Sequence, residues 1–387
     1  MFNRAKVEID NSGSIMKEMK MHNLAVLGGG HGARTMAADL TLAGHSVTLY
    51  EMPEFKNEMR VIFETKRIRL EGKARQGTAV LHSVTDNIRE ALKEAEVILI
   101  VVPAIAHLAY AKLLGPLIED GMNIVLVPGT FGSLEFVEEI RKLGVNKDIT
   151  ISELDTLPYA TRITGPDSVH VFHNVPKTSL GVFPSSKTER VLALLHDLYP
   201  EIAPLRDVLE AGLSNINPVV HPLGVLLNAG RIEYSRGEFW YYEEGITPAT
   251  ARAMESLDTE RINIGKKLGL ELPDMASALH SARYGPKGDL WETLKGSKGL
   301  TPIKGPSSLS NRYITEDVPI GLVCWSQLGR QLGVSVKLME STVHIAGAIS
   351  GKDYFVLGRT LKRCGIEGLD APALIEYVSG GEKQPTR

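Results

Sequence analysis

The chain has 387 residues, of which 43% are hydrophobic and 23% are charged, a composition typical of a globular protein with room for two packed domains. The formal net charge of −3 provides no large positive field, so we expect no nucleic-acid partner. Cys324 and Cys364 are too few and too far apart for a disulfide framework or a cysteine-based metal site, and they favour a reducing, cytoplasmic location.

Neither the N-terminal residues nor the longest apolar stretch predicts a secretion or membrane signal. Residues 1–21 mix acidic and basic side chains with few apolar positions, so we predict an N-terminal extension without the hydrophobic centre of a secretory signal. The longest apolar stretch, residues 97–106, contains Pro103 and is well short of the roughly 20 residues that cross a bilayer. We therefore expect no transmembrane helix and no membrane partner.

The first half of the chain opens with a predicted βαβ unit. An apolar strand over residues 23–27 is followed by a glycine-rich turn at residues 28–33 (GGGHGA), a helix that ends before Gly44, and a second strand over residues 46–51. Further strands are predicted over residues 97–102, 123–127, 149–152, 169–172 and 179–183. This order predicts an α/β fold with a doubly wound Rossmann sheet in residues 22–205.

The second half of the chain predicts helices. After about residue 207 no strand pattern is convincing, whereas Thr247 and Pro248 suit the N-cap and first position of a helix. Apolar residues then follow at helical spacing, at Met254, Leu257, Ile264 and Leu268. We predict an all-helical domain in residues 206–387, interrupted between residues 282 and 311 by an irregular segment rich in Gly, Pro, Ser and Lys.

The glycine turn predicts a cofactor site. Gly28 and Gly30 allow the backbone to approach a pyrophosphate, Ala33 allows close packing, and the following helix presents its positive end. Glu51 ends the second strand, where it suits a ribose 2'-hydroxyl and repels a 2'-phosphate. NAD is therefore favoured over NADP, with a solvated strand end as the alternative interpretation of Glu51. Pro103, at the end of a later strand, either borders the cofactor or stops that strand.

Two segments of the second half carry candidate catalytic residues. The first is a helix expected over residues 213–231, in which Asn217, His221 and Asn228 share one face. That face is compatible with polar groups that point into a cleft, with Asn217 and Asn228 as substrate-binding residues. On spacing alone, His221 is equally a candidate for a buried structural histidine.

The second segment, residues 311–319, holds an arginine, a tyrosine and two carboxylates. Either Asp317 or Glu316 could bond one imidazole nitrogen of His221 and leave the other nitrogen to exchange a proton with a substrate. The alternative is an acid that caps the following helix. Arg312 is a candidate for bidentate binding of a substrate carboxylate, or for pairing with a neighbouring acid.

Four parts of the chain resemble the opine dehydrogenase family, which includes the octopine and nopaline dehydrogenases. They are residues 28–33 (GGGHGA), residues 102–107 (VPAIAH) with 128–132 (PGTFG), residues 153–162 (ELDTLPYATR), and residues 217–222 (NPVVHP) with 312–319 (RYITEDVP). The resemblance runs from about residue 23 to near the C-terminus. It implies that His221 and Asp317 form the catalytic pair, that Glu316 is the less favoured partner, and that Arg312 binds a substrate carboxylate.

The resemblance also implies a reaction and its partners. An amino acid and a 2-oxo acid, most commonly pyruvate, would condense to an imine that NADH reduces to a secondary amine dicarboxylate. The aromatic run at residues 240–242, with Glu243 and Glu244, is a candidate pocket for the amine, with core packing as the alternative. A homodimer is mildly favoured because closed two-fold dimers are common among such enzymes.

Two other functions remain open from the sequence. A hydroxy-acid, ketopantoate or polyol-phosphate dehydrogenase shares the two-domain plan but typically uses a lysine in the early helices of the second domain. This chain has no lysine between Lys187 and Lys266, which weighs against that function. A protein that senses NADH without turnover would need the cofactor site but no proton-handling pair.

Overall fold

The computed structural model describes residues 20–175 and 178–382. The predicted N-terminal extension lies outside the described residues, apart from its last two positions. The strands are β1 Asn23–Leu27, β2 Ser46–Tyr50, β3 Arg67–Gly72, β4 Gly77–Val80, β5 Ser83–Thr85, β6 Val97–Ile100, β7 Asn123–Leu126, β8 Thr150–Leu154, β9 Tyr159–Gly165, β10 Ser168–Asn174, β11 Ser179–Phe183 and β12 Ala203–Pro204.

The α-helices are α1 His31–Leu42, α2 Arg60–Thr65, α3 Ile88–Leu92, α4 His107–Leu114, α5 Gly132–Lys142, α6 Thr188–Leu195, α7 Val208–Ser214, α8 Asn217–Leu226, α9 Ala229–Ser235, α10 Pro248–Lys267, α11 Met275–Ser281, α12 Leu290–Lys295, α13 Arg312–Thr315, α14 Val323–Gln331, α15 Lys337–Ser350, α16 Tyr354–Leu357 and α17 Ala371–Gly380. Short 3-10 helices occupy Pro53–Met59, Ala104–Ala106, Gly115–Leu117 and Ser185–Lys187, and π-helical turns occupy Tyr241–Gly245 and Asp317–Leu322.

Eight strands form the central sheet, in the order β12-β11-β8-β7-β6-β1-β2-β5. All neighbours from β8 to β5 run parallel, whereas β11 runs antiparallel to β8. Alternate residues of β6 belong to two apolar clusters, with Ile98 and Ile100 on one face of the sheet and Val97 and Leu99 on the other. Burial on both faces explains why this strand is wholly apolar. The predicted doubly wound Rossmann sheet is confirmed.

A second sheet, in the order β4-β3-β10-β9, was not predicted. The strand predicted over residues 169–172 exists as β10, but it belongs to this sheet and not to the central one. The sheet packs on α1, which is consequently buried along most of its length. The sequence gives a weak signal for β3 because only Ile68 and Leu70 are buried there, between partly or fully exposed residues.

Helices and turns make up the described residues beyond β12, with one isolated bridge between Trp240 and Lys304. The hydroxyl of Thr247 accepts from the N–H of Thr250 and caps α10, whose predicted apolar face is buried. The helical second half is therefore confirmed. No helix of the described residues is long and apolar enough to cross a membrane.

Two details of the helical half differ from the sequence prediction. The single helix expected over residues 213–231 is broken into α7, α8 and α9. Asn215 adopts an extended conformation after α7, and Asn228 leaves the helical conformation between α8 and α9. The irregular segment between residues 282 and 311 contains α12, which begins with a reciprocal capping box between Asp289 and Glu292.

Candidate active site

The glycine turn between β1 and α1 leaves space where a ligand can approach the backbone. Gly28 has a φ of +116°, and a Cβ there would lie 2.7 Å from the carbonyl oxygen of Val101. A Cβ on Gly30 would meet nothing within 4 Å. Gly30 is the N-cap of α1, and no side chain of the described residues caps the first turn of this helix, in which Ala33 is buried. Free N–H groups at the positive end of α1 therefore face open space, as an anion site requires.

Glu51 follows β2 and lies against the same turn. Its Oε1 accepts a hydrogen bond from the backbone N–H of Met52 at 2.7 Å, and a Cβ on Gly29 would lie 2.3 Å from its Oε2. Burial raises the pKa of the Glu51 carboxyl. Glu51 is therefore not a solvated strand end, and its carboxylate adjoins the glycine turn.

Pro103 lies in the loop that follows β6, and the strand itself ends earlier, at Ile100. This loop passes the glycine turn, since the carbonyl oxygen of Val101 and a methyl group of Val102 would both contact a Cβ on Gly28. Pro103 therefore does not end β6, and its place beside the candidate cofactor site remains a prediction based on the position of Val101 and Val102.

Cationic side chains surround His31, the first residue of α1. Nδ1 of His31 accepts a hydrogen bond from the backbone N–H of Ile163 at 2.8 Å, which holds the ring beside β9. Burial, and then the positive charges of Arg162, Arg34 and Arg312, lower the pKa of His31. Arg34 of α1 and two arginines from distant parts of the chain, Arg162 and Arg312, thus act on the glycine turn, where they favour an anionic ligand.

His221 lies within α8 and is contacted on three sides. Its Nδ1 lies 2.8 Å from Oδ2 of Asp317, its Nε2 lies 3.3 Å from the hydroxyl of Tyr242, and its ring stacks on Tyr313 with the ring centres 3.7 Å apart. Burial raises the pKa of Asp317, and the hydrogen bond from His221 opposes that effect. A carboxylate bonded to Nδ1–H leaves the lone pair of the neutral ring on Nε2, so His221 can accept a proton on the side of Tyr242.

The structure distinguishes between Asp317 and Glu316, the two carboxylates that the sequence left as alternative partners of His221. Asp317 contacts His221, whereas Glu316 accepts at Oε1 from the backbone N–H of Ala104, at 2.8 Å, and at Oε2 from Nε of Arg312. The Arg312 side chain is 67% exposed, and its Nη1 and Nη2 have no hydrogen-bond partner in the part of the chain that the structure describes. Arg312 is therefore held at one nitrogen and free at the other two, which suits carboxylate binding.

A cavity of about 450 Å³ opens beside His221. Both halves of the chain line it, including Asp155, Thr156, Val175 and Ser179 from the first half and Glu210, Asn217, His221, Tyr242, Met275, Leu279 and Tyr284 from the second. Its lining is mostly apolar and contains two acidic residues but no lysine or arginine. Burial raises the pKa of Asp155 to about 6. A pocket of this size and lining accommodates a small organic molecule.

Of the two asparagines predicted to bind substrate, the structure brings one to this cavity. Asn217 lines the wall together with His221. Asn228 does not, because its amide Nδ2 donates to the backbone carbonyl oxygens of Gly224 and Gly245, both at 2.9 Å. The break between α8 and α9 ends the shared helical face, so we assign Asn228 a structural role.

Sequence reasoning gave no role to Tyr313, Arg162 or Asp155. Both Arg162 and Asp155 lie within the motif at residues 153–162, which indicated the segment but not what its side chains contact. Within the aromatic run at residues 240–242, one tyrosine fits the predicted pocket and another fits core packing. Tyr242 lines the cavity, whereas Tyr241 is core and its hydroxyl donates to backbone carbonyls of α8.

Comparison with known proteins shows what this chain is similar to. Residues 204–350 match the family model described as NAD/NADP octopine/nopaline dehydrogenase, alpha-helical domain. An opine dehydrogenase from Arthrobacter sp. is 35% identical over 355 residues, which cover 92% of this chain and 98% of that protein. A vitopine synthase from Allorhizobium ampelinum is 28% identical over 93% of this chain and 100% of its own length.

Solved structures agree with this at the level of the fold. Octopine dehydrogenase with NADH and L-arginine superimposes with a TM-score of 0.75 at 19% identity, covering 95% of this chain and 100% of that one. A ketopantoate reductase from Ralstonia eutropha superimposes less closely, with a TM-score of 0.59 at 17% identity over 86% of this chain and 99% of that one. The sequence match to the Arthrobacter enzyme, over nearly its whole length, shows that the chain belongs to the opine dehydrogenase family.

Proposed function

We propose that this protein condenses an amino acid with a 2-oxo acid, with pyruvate as the first oxo acid to test, and reduces the product with a nicotinamide cofactor. The observation that carries the proposal is His221, with Asp317 at Nδ1 and Tyr242 at Nε2, in the wall of a cavity lined by both halves of the chain. Membership of the opine dehydrogenase family supports it. A protein that only sensed NADH would have no use for this proton-handling pair.

The glycine turn and Glu51 fit a nicotinamide dinucleotide. The open space at Gly30 and the first-turn N–H groups of α1 suit the pyrophosphate, and the Glu51 carboxylate suits the adenosine ribose. Octopine dehydrogenase has been solved with NADH, which supports the same cofactor class here. We propose NADH over NADPH because Glu51 places a carboxylate where a 2'-phosphate would lie. The bound cofactor supplies a hydride.

The two substrate carboxylates need cationic partners. Arg312 offers Nη1 and Nη2, and we assign the carboxylate of the 2-oxo acid to it. Arg162 is the candidate for the second carboxylate, since the charges of both arginines act on Tyr313, whose ring stacks on His221. Lys295 and Lys304 are occupied elsewhere, by Glu243 and Glu238 respectively.

His221 handles protons at the reacting centre. The neutral amino group attacks the carbonyl carbon of the oxo acid and a C–N bond forms. The C–O bond then breaks, and the oxygen leaves as water with one proton from the amine nitrogen and one from Nε2 of protonated His221, which leaves a protonated imine. Asp317 stabilises the imidazolium whenever His221 carries that proton. Burial keeps the pKa of Tyr242 well above its ordinary range, so its hydroxyl remains a donor beside Nε2. A hydride from the bound cofactor would convert this imine to the secondary amine, so each turnover would consume one NADH and one proton and release one water.

The test follows the absorbance of NADH with purified protein, pyruvate and a panel of amino acids, with each substrate also supplied alone. The panel includes apolar and cationic side chains because the cavity is mostly apolar but contains Asp155 and Glu210. Loss of NADH only when both substrates are present is the expected result. Loss with the oxo acid alone would indicate a hydroxy-acid dehydrogenase, and no loss with any pair would contradict the proposal.

A further inference from the structure

Glu316 is a buried carboxylate for which the chemistry of His221 has no use. Only 8% of the residue is exposed, yet each carboxylate oxygen accepts a hydrogen bond. Oε1 accepts from the N–H of Ala104, and Oε2 accepts from Nε of Arg312. A buried carboxylate is tolerated when hydrogen bonds and an opposite charge replace its lost hydration. Glu316 meets that condition with one group from each half of the chain.

The Ala104 peptide lies at the edge of the candidate cofactor site. It follows Pro103 in the loop that passes Gly28, and its carbonyl oxygen accepts a hydrogen bond from Nη2 of Arg359 at 3.0 Å. The wholly buried Arg359 guanidinium also reaches the carbonyl oxygen of Gly129 at 3.1 Å. Side chains of the helical half therefore hold Ala104 at both its N–H and its C=O.

The contact between Glu316 and Arg312 uses the one guanidinium nitrogen that is nearest the chain. Because the guanidinium is planar, an acceptor fixed at Nε restricts the plane in which Nη1 and Nη2 lie. An anion bound at those two nitrogens is then held in a set direction relative to Glu316. Glu316 is in turn bonded to the loop that borders the cofactor site.

We propose that Glu316 is a positioning residue that aligns the Arg312 guanidinium with the Ala104 peptide, and so aligns the carboxylate of the 2-oxo acid with the nicotinamide side of the cofactor site. This inference rests on the proposed function, since it takes the anion at Arg312 to be that carboxylate. The role differs from that of Asp317, which contacts the proton-handling ring itself.

The variant Glu316→Gln keeps the size of the side chain and an acceptor for Ala104, but it turns an N–H₂ group toward Nε of Arg312. We expect the KM for pyruvate to rise about tenfold or more, in line with the loss of a charged hydrogen bond. The KM for the amino acid and the Kd for NADH should stay within about twofold of the unaltered protein, a change too small to reflect a lost interaction. Glu340→Gln is the matched control, since Glu340 pairs with Arg330 on the surface of the same half of the chain.

A double-mutant cycle tests whether Glu316 acts through Arg312. In an Arg312→Met background the guanidinium is absent. Adding Glu316→Gln should therefore give the same KM for pyruvate as the Arg312→Met single variant. Equal fold-increases in both backgrounds would overturn the proposal. So would a loss of NADH affinity without any change in the KM for pyruvate, because that result indicates a merely structural role.

A binding measurement without turnover separates this inference from the proposed function. Oxamate, an unreactive carboxylate of the size of pyruvate, is titrated calorimetrically into the NADH complex of each variant. Weaker oxamate binding in Glu316→Gln but not in Glu340→Gln supports positioning, whichever substrates are turned over. Unchanged binding, or no binding to the unaltered protein, overturns it. If Glu316→Gln does not fold, Glu316→Asp keeps the charge but shortens the side chain by one methylene and withdraws the carboxylate from Nε of Arg312, and an unchanged KM for pyruvate in that variant also overturns the proposal.

Discussion

Replacing Asp317 by asparagine keeps the shape of the side chain and removes the negative charge that lies 2.8 Å from Nδ1 of His221. The amide can present an N–H₂ group as readily as an oxygen, so the ring loses both its anionic partner and its fixed tautomer. Burial already raises the pKa of Asp317, which means that the folded protein disfavours the charge. The neutral variant should therefore fold.

The size of the effect follows from the lost attraction. Two unit charges about 4 Å apart attract by about 4 kcal/mol at an effective dielectric constant of about 20. Since about 1.4 kcal/mol of transition-state stabilisation is a tenfold change in rate, Asp317→Asn should lower kcat by up to about 10³-fold. That value lies within the roughly 10²- to 10⁴-fold that a positioned acid or base contributes.

The assay is steady-state NADH oxidation at saturating substrates, with the Kd for NADH and the Tm measured on the same samples. Asp197→Asn is the matched control, because Asp197 contacts Nε2 of His22 at 2.9 Å, next to the amino-terminal end of β1 and away from the cavity. We expect normal turnover in that control and normal NADH affinity in both variants. A kcat for Asp317→Asn within about threefold of the unaltered protein would refute the proposed relay, because even weak acid–base catalysis contributes more. An equal loss in the control would refute it as well.

Two further predictions concern buried acids of the Rossmann half. Glu51→Gln removes the negative charge that would repel a 2'-phosphate. The preference for NADH over NADPH in kcat/KM should therefore fall about tenfold or more. Burial raises the pKa of Glu153 from 4.5 to about 7, so the folded protein keeps a proton that the unfolded chain releases between these values. Stability should therefore fall as the pH rises through that window, by on the order of 3 kcal/mol, and Glu153→Gln should flatten this dependence of Tm on pH.

Each of these predictions has a clear contrary result. An unchanged cofactor ratio in Glu51→Gln would mean that the carboxylate does not meet the ribose. Curves of Tm against pH that run parallel for Glu153→Gln and the unaltered protein would mean that Glu153 is ionised throughout. Glu367→Gln, at an exposed position, is the control for general effects of charge removal.

Features that depend on neighbours along the chain were the most predictable from the sequence. The glycine turn, the position of Glu51 after β2 and the apolar strands of the central sheet each follow from one short segment. The contact between His221 and Asp317 was anticipated only through the family resemblance. Spacing could not separate Asp317 from Glu316, because the backbone passes from α13 into a π-helical turn between them and their side chains diverge.

Features that depend on contacts between distant segments could not be predicted. β3 pairs with β10 across about a hundred intervening residues. The hydrophobic pattern of a strand does not indicate which other strand it pairs with. Arg162 and Arg312 act on the same tyrosine only after folding. Asn228 was expected on the same helical face as His221, but the helix breaks before α9 and the Asn228 amide donates to the backbone of Gly245 instead.

The second sheet has a consequence for how the nucleotide binds. It packs on α1 opposite the central sheet, so the helix whose N–H groups we propose to bind the phosphates is enclosed on both sides by strands. Its buried positions include three small alanines, Ala33, Ala37 and Ala38, which permit that close approach. The conformational entropy of ordering the phosphate site is therefore lost when the chain folds rather than when the nucleotide arrives, and the site is preorganised for its ligand.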